Sequence, residues 1–467
     1  MIKRKTKIKS PRELTVTFNP MRGFNYGVAP EAGGEAYAQT MENLVVSDGT
    51  LVPCDGFKPH YEYVYNLKII RKIYLYKRFD SNGNADNRII IYCSDKYLYE
   101  CALGGGTFQK ITDVQFDSDP SGVLYNYNGE NVMIFSKSGG GLCIYNGTEM
   151  TFVPEAPEIT SMCLHFERLF VTTGGNDNSL WFSDDFDPAN WNVSLSEAGF
   201  IDMNDFRGDL IKVVSFGDYL YVFRTFGITR ISAYTDQRQF SATNLFVSSG
   251  RIFADSIIVC GDCMLFAATD GIYRFDGVST QKISGAFDKK FNPAYKGYKG
   301  LYYNGYAYIR VSSDLDGTYV VRLMRINPKT LDASFICGAI MADFAIVDVD
   351  GVYKLYGAEA VSRMIGEFTP DDPLILKGKP MQIWENGESD FGVPTEKTLK
   401  RFSCYSAKPV KITITADGTP HVYNADGGVK PVVLRPNIKG VKFKIRFDAS
   451  DVATKIASPE MKMEYYL

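Results

Sequence analysis

The sequence predicts an all-β protein: a propeller of about seven blades, preceded by an N-terminal extended arm (1–57) and followed by a connector and C-terminal β-sandwich (373–467). Three observations carry this reading: an internal repeat of blade length, regular turn punctuation between strand-like runs, and an aromatic-rich composition. The repeat runs from Phe216-Gly217-Asp218-Tyr219 to Val222-Phe223, then Phe226-Gly227-Ile228-Thr229-Arg230-Ile231. It is echoed by Cys260-Gly261-Asp262-Cys263 to Phe266-Ala267, then Asp270-Gly271-Ile272-Tyr273-Arg274-Phe275. The offset of about 44 residues suits a four-stranded blade. A single blade cannot bury both of its faces, so the repeat predicts a ring.

The same template recurs through 58–372 as polar or glycine turns between β-branched and aromatic runs. Ile89-Ile90-Ile91-Tyr92 and Tyr97-Leu98-Tyr99 form a hairpin. Asn128-Gly129 precedes Val132-Met133-Ile134-Phe135, and Gly139-Gly140-Gly141 leads into Leu142-Cys143-Ile144-Tyr145. Arg168-Leu169-Phe170-Val171 is followed by Leu180-Trp181-Phe182-Ser183. Asn304-Gly305 joins two Tyr-rich strands, and Asp350-Gly351 opens Val352-Tyr353-Lys354-Leu355-Tyr356. This spacing gives about seven modules, with six or eight also compatible. Before Phe57 the chain is rich in Gly, Pro and polar residues, with one alternating segment, Leu14-Thr15-Val16-Thr17-Phe18, able to pair as a strand. After Pro370, four prolines (Pro370, Pro373, Pro380, Pro394) punctuate a connector. Strand alternation then resumes over Lys408–Thr415, Val429–Leu434, Val441–Phe447 and Met461–Tyr465.

Composition agrees. With 45% hydrophobic and 22% charged residues, the 467-residue chain can bury a large core. Its 30 Tyr and 31 Phe suit pleated, half-buried surfaces. A net charge of −3 provides no global basic field for nucleic acid. Nine Cys, scattered mostly through predicted strands, read as buried thiols of a reducing compartment. The basic N-terminus has no apolar run after its charges, and no segment approaches membrane-spanning length, so the expectation is a product made in the cytoplasm and soluble until assembled.

Candidate chemistry is sparse. Cys260-Gly261-Asp262-Cys263 is a CxxC, but Phe216 and Tyr219 flank the same Gly-Asp turn one repeat earlier, so it reads as a hairpin border rather than half a zinc site. Asp80, Asn82, Asn84 and Asp86 alternate as oxygen ligands, yet the glycine and glutamate of a calcium loop are missing, and a polar hairpin loop is favoured. Arg207-Gly208-Asp209 reads as a turn. Of three histidines, His60, His165 and His421, none lies in a metal-binding or nucleophile-activating pattern. No catalytic residue, cofactor site or metal site is expected, although a propeller glycosidase could assemble acids from separate blades.

Arg168-Leu169-Phe170, Leu180-Trp181-Phe182-Ser183-Asp184 and Asn190-Trp191, with Asn43-Leu44 and Asp48-Gly49-Thr50-Leu51-Val52-Pro53, resemble a signature of bacteriophage tail propellers. The order of arm, propeller and sandwich is similar too. The resembled family is the tail nozzle and packaged-DNA stabilisation proteins of short-tailed phages. That resemblance implies a noncatalytic virion protein of the tail, in a symmetric ring, a hexamer by preference, beside portal, adaptor and other tail proteins. Such a ring lines or closes the DNA channel, retains packaged double-stranded DNA without sequence-specific contacts, and permits ejection. The alternative is a host-surface glycan-binding module using blade aromatics such as Trp181 and Trp191. The basic residues Lys3, Arg4, Lys5, Lys7, Lys9 and Arg12 are the candidate assembly contacts, with a solvated tail as the plainer reading.

Overall fold

A computed structural model describes residues 10–24, 36–61, 69–80, 82–174, 177–234, 236–284, 291–292, 294–315, 318–338, 340–361, 363–370 and 381–466. Among them the only helical elements are two single 3-10 turns, Gln237–Gln239 and Ala254–Ser256. The rest of the regular structure is β, arranged as a propeller.

Five blades follow in chain order as free-standing antiparallel four-stranded sheets. Blade 1 comprises Ile70–Tyr76, Arg88–Cys93, Leu98–Ala102 and Gln109–Lys110. Blade 2 spans Gly122–Tyr127 to Met150–Val153, and blade 3 spans Ser161–His165 to Gly199–Asp202. Blade 4 spans Leu210–Phe216 to Ser241–Val247, and blade 5 spans Ile258–Val259 to Thr280–Lys282. A sixth, closing blade takes Met341–Val349, Val352–Glu359 and Ile365–Thr369 from late in the chain, and its outermost strand, Gly56–Tyr61, from the beginning. That pairing, Ile365 against Tyr61 through Thr369 against Gly56, ties the two ends of the propeller together by backbone hydrogen bonds. Pro59 is tolerated there because an outermost strand leaves one side of its backbone unpaired.

Six free-standing blades differ from the expected count of about seven. The physical reason lies in 299–336. Its four strands, Lys299–Tyr303, Tyr306–Leu315, Thr318–Ile326 and Ala333–Ile336, form an antiparallel meander that does not end as a sheet of its own. Arg22–Phe24 and Tyr37–Glu42 pair onto its outer strand, and Gln382–Asn386, Phe443–Ala449, Val410–Ala416 and Thr419–Ala425 continue the same sheet to ten strands. The turns are those the sequence signals: Asn128-Gly129, Asn304-Gly305 and Asp350-Gly351 all have positive φ at both positions, the geometry of a tight two-residue hairpin.

Neighbouring sheets are joined by hydrophobic clusters. Ile90, Tyr92, Phe135 and Tyr145 link blades 1 and 2; Ile134, Leu142, Leu169 and Val171 link blades 2 and 3. Leu180, Phe182, Leu220 and Val222 link blades 3 and 4, and Phe223, Ile228, Met264 and Phe266 link blades 4 and 5. Tyr308 and Leu323 of the meander pack on Phe344, Leu355, Phe57 and Phe368 of the closing blade, whose Val347 and Ala358 pack on Ile73 and Ile91 of blade 1.

The segment expected as an arm contributes strands in several places. Arg12–Thr17 pairs with Ile456–Tyr465, and Leu44–Ser47 and Thr50–Pro53 join the same seven-stranded sheet, which also holds Lys397–Ser406. That sheet and the far half of the ten-stranded sheet share one hydrophobic cluster, with Phe402 and Phe447 in ring contact at 6.3 Å. Lys3, Arg4, Lys5, Lys7 and Lys9 lie outside the described residues; Arg12 is exposed at the start of its strand, opposite Tyr465.

Asn43 is the knot of this junction. It is 3% exposed and sits at φ 54°, a left-handed conformation that asparagine tolerates better than most residues. Its side-chain oxygen accepts from the Cys337 N–H (2.8 Å), its amide donates to the Met381 carbonyl (3.0 Å), and its backbone N–H donates to the Phe335 carbonyl (2.8 Å). Asn43→Ala should therefore remove two part-buried hydrogen bonds and lower the unfolding free energy by about 1–3 kcal/mol in chemical denaturation. A loss below about 0.5 kcal/mol would show that the junction does not depend on it.

Candidate functional site

The most concentrated charge chemistry lies where the inner strands converge on the propeller axis. Lys72 of blade 1, Lys212 of blade 4 and Asp343 of the closing blade each follow a register shift in the first strand of their blade, between Ile70 and Lys72, Leu210 and Lys212, and Met341 and Asp343. A β-bulge at that point re-aims the next side chain. Lys299 from the meander, Asp255 from the 3-10 turn before blade 5, and Asp119 from the approach to blade 2 complete the group.

The contacts interlock. Lys72 Nζ lies 3.3 Å from Asp255, and Lys299 Nζ lies 3.9 Å from Asp343 while donating to the Arg71 carbonyl at 2.8 Å. Asp343 also accepts from the Ile73 N–H at 3.0 Å. Arg71 lies 2.6 Å from Asp119, and Lys212 donates to the Ile257 carbonyl at 3.3 Å. The Asp255 side chain keeps 45% of its surface open to water.

Burial acts against charge at Asp255, Lys72, Lys212 and Lys299. For Asp255 it is outweighed by Lys72, Lys212 and Lys299, and the carboxyl titrates below its ordinary range. For Lys72 it is outweighed by Asp343, Asp255 and Asp119, which hold the ammonium above the usual lysine value. Lys212 is different: burial, reinforced by Lys72 and Lys299, pulls it down despite Asp255 and Asp343. Lys299 is likewise lowered, by burial first and then by Lys72. Three ammonium groups and the Arg71 guanidinium thus face three carboxylates across blades. The arrangement links blade 1, blade 4, the closing blade, the meander and the turn before blade 5.

Residues singled out in the sequence are engaged elsewhere. Cys260 and Cys263 border a hairpin, with the Cys260 N–H donating to the Cys263 carbonyl at 2.7 Å and Gly261 at φ 72°. Both are buried free thiols, and the hydrogen bond between them together with burial pushes Cys260 upward. No group of three or more potential metal ligands occurs among the described residues. Asp80 accepts from the backbone N–H groups of Asn82 and Asn84, and Asp86 pairs with Arg78 and Arg88, so that loop spends its carboxylates on itself.

Arg207, at a turn through Gly208, pairs with Asp205 at 3.0 Å. His165 Nδ1 meets Ser215 Oγ at 2.8 Å, but the ring is buried beside Phe166 and Phe170, burial lowers its pKa, and Nε2 has no partner among the described residues. His60 bonds Glu367 at 3.0 Å, and Lys354 shares the same carboxylate. Trp191 is 4% exposed with its indole N–H donated to the Pro188 carbonyl, and Trp181 stacks on Phe200 at 4.7 Å.

No family model matches the chain, and no curated protein does. Among solved structures it is similar to BBS1N in complex with ARL6DN soaked with lead, at a TM-score of 0.45 and 11% identity over 68% of this chain and 97% of that one. It is also similar to BamB from Moraxella catarrhalis, at 0.37 and 12% identity over 65% and 83%. These likenesses are distant; the propeller is defined by the chain's own strand pairings.

Two expectations follow. Because the Asp255 carboxyl is depressed, its stabilisation is present above the unfolded value of about 3.9 and is lost as pH falls through the lower folded value. The unfolding free-energy difference between wild type and Asp255→Asn should be constant near neutrality and shrink as pH falls through the depressed folded value; a difference that stays constant through the whole acid range would remove the electrostatic explanation. Burial pushes the thiols of Cys54, Cys93, Cys163, Cys337 and Cys404 up to about 12. Alkylation at about pH 8 should thus be slow in the folded protein and fast in denaturant, and rapid native labelling of these five would contradict their placement.

Proposed function

We propose that this chain is a noncatalytic structural subunit of a short-tailed bacteriophage tail, assembling with its own copies into a ring, six by family resemblance, that closes or lines the DNA channel. In this reading it meets portal or adaptor proteins on one side and other tail proteins on the other, retains the packaged genome, and lets it pass at ejection. We count the 299–336 meander as a seventh blade, because its hydrophobic contacts run to blade 5 on one side and the closing blade on the other. We also read the two terminal sheets as a sandwich welded onto that blade.

The weld is the single observation that supports the reading most. A continuous ten-stranded sheet runs from the propeller's interior into the terminal region, and N-terminal strands are built into both. Load applied to the terminal sheets is then borne by backbone hydrogen bonds rather than by a flexible linker, which suits a part that resists the pressure of packaged DNA. Charge fits too. Ion pairs link the inner strands of one propeller, so in this reading a DNA passage would lie between copies rather than through one propeller. The acidic net charge of −3 gives phosphates few counterion-releasing contacts along it. The glycan-binding alternative loses one of its rings, since Trp191 is in the core.

The test is genetic and structural. Particles assembled without this protein should package DNA and then lose it, and cryo-electron microscopy of complete particles should show the chain as a ring in the tail. Deficient particles that keep their DNA and inject it normally would overturn the proposal.

A further inference from the structure

The charges gathered at the propeller axis do not cancel. Lys72, Lys212, Lys299 and Arg71 supply four positive charges, and Asp119, Asp255 and Asp343 supply three negative ones. The pairing leaves the surplus on one residue. Asp119 holds Arg71 at 2.6 Å, Asp255 holds Lys72 at 3.3 Å, and Asp343 faces Lys299 at 3.9 Å. Lys212 makes no ion pair among the described residues. Its ammonium donates to the Ile257 carbonyl at 3.3 Å, and Asp255, Asp343, Lys72 and Lys299 are the charges that weigh most on it.

Donors are in surplus as well. An ammonium group carries three N–H donors. Lys212 spends one on the Ile257 carbonyl, Lys299 spends one on the Arg71 carbonyl, and Lys72 contacts only the two oxygens of Asp255. Solvent reaches the group through Asp255, yet the Lys72 and Lys299 side chains are only 19% and 11% exposed. An uncompensated cation in so dehydrated a place is costly. Two events relieve it: Lys212 gives up its proton, or a counter-ion comes in from solution. Burial, reinforced by Lys72 and Lys299, works toward the first. An ordinary lysine holds its proton to about pH 10, however, and an incoming anion uses spare donors on three side chains at once.

We propose that the propeller axis binds one small, singly charged anion, a halide or a small oxyanion, held by the Lys212 ammonium with Lys72 and Lys299 beside it. One negative charge brings the group to four against four. Asp255 and Asp343 set the class of ligand: they tolerate one added negative charge and repel a multiply charged or polymeric phosphate, so the site takes a free ion and not a nucleic-acid backbone. Because the ligands come from blade 1, blade 4 and the meander, the ion ties three sheets together and binds the closed propeller in preference to the unfolded chain. The site is independent of the tail reading, and either stands without the other.

The test is urea unfolding of the full chain while sodium chloride or sodium acetate replaces the salt of a bulky sulfonate at constant ionic strength. One ion bound by the folded state alone raises the folding constant about tenfold for each tenfold rise in ion once the site fills. Wild type should show this for chloride or for acetate, and the steeper of the two separates halide from oxyanion. Lys212→Met should lose the dependence, and Lys212→Arg, which keeps the charge, should retain it. Asp255→Asn, with one negative charge fewer, should reach half-saturation at a lower ion concentration than wild type. Calorimetric titration of the native protein with the steeper ion should show one site, absent from Lys212→Met. A wild type that responds to neither ion, or a Lys212→Met variant that responds as wild type does, would overturn the proposal and leave the tail reading untouched.

Discussion

Everything in this fold depends on one pairing between distant parts of the chain, that of Gly56–Tyr61 with Ile365–Thr369. It converts a row of hairpin modules into a closed body in which blades pack on neighbours through apolar clusters. Closing a loop of roughly three hundred residues costs only logarithmically more than closing a short one. Once closed, a blade cannot leave without opening two apolar interfaces and a strand ladder. Phe57, fully buried and edge-to-face with Phe368 at 5.5 Å, anchors the pairing in the cluster between the meander and the closing blade.

The same opening segment then does a second job. Arg22–Phe24 and Tyr37–Glu42 lie between the meander and Gln382–Asn386, so the propeller and the terminal sheets are parts of one hydrogen-bonded surface. Side chains reinforce it: Trp384 donates its indole N–H to the Arg22 carbonyl, Arg22 pairs with Asp332, and Arg322 pairs with Glu42. At the axis, the Lys72, Lys212, Lys299, Asp119, Asp255 and Asp343 group adds polar registration to apolar packing. Breaking one member would strand charges in an enclosed place, so such a network specifies geometry more than it adds stability.

Local features were legible because they are local. The Gly-Asp turns of the repeat have positive φ at Gly217 and Gly261, and the alternation of Leu14–Phe18 becomes a strand from Arg12 to Thr17. The long-range features were not. Gly56–Tyr61 contains a proline and pairs some three hundred residues away, so no short-range pattern marks it as a strand. Lys72 and Lys212 each follow a bulge in the opening strand of a module, and a bulge has no sequence signature in a single chain. Their shared place, third in the opening strand of a module, was the signal available. The terminal sheets were visible as strands, but Lys397–Ser406, the strand that pairs with three others, was hidden by the basic residues Lys397, Lys400 and Arg401, which break its alternation.

The direct test of the closed body is native-state hydrogen exchange. If the ring opens only as a whole, the amides of Gly56–Tyr61 and Ile365–Thr369 exchange with the same opening free energy as those of Arg88–Cys93 inside blade 1. Exchange at the 56–61 strand that is far faster and insensitive to denaturant would mean that it peels away locally, and the account of a closed mechanical unit would be wrong.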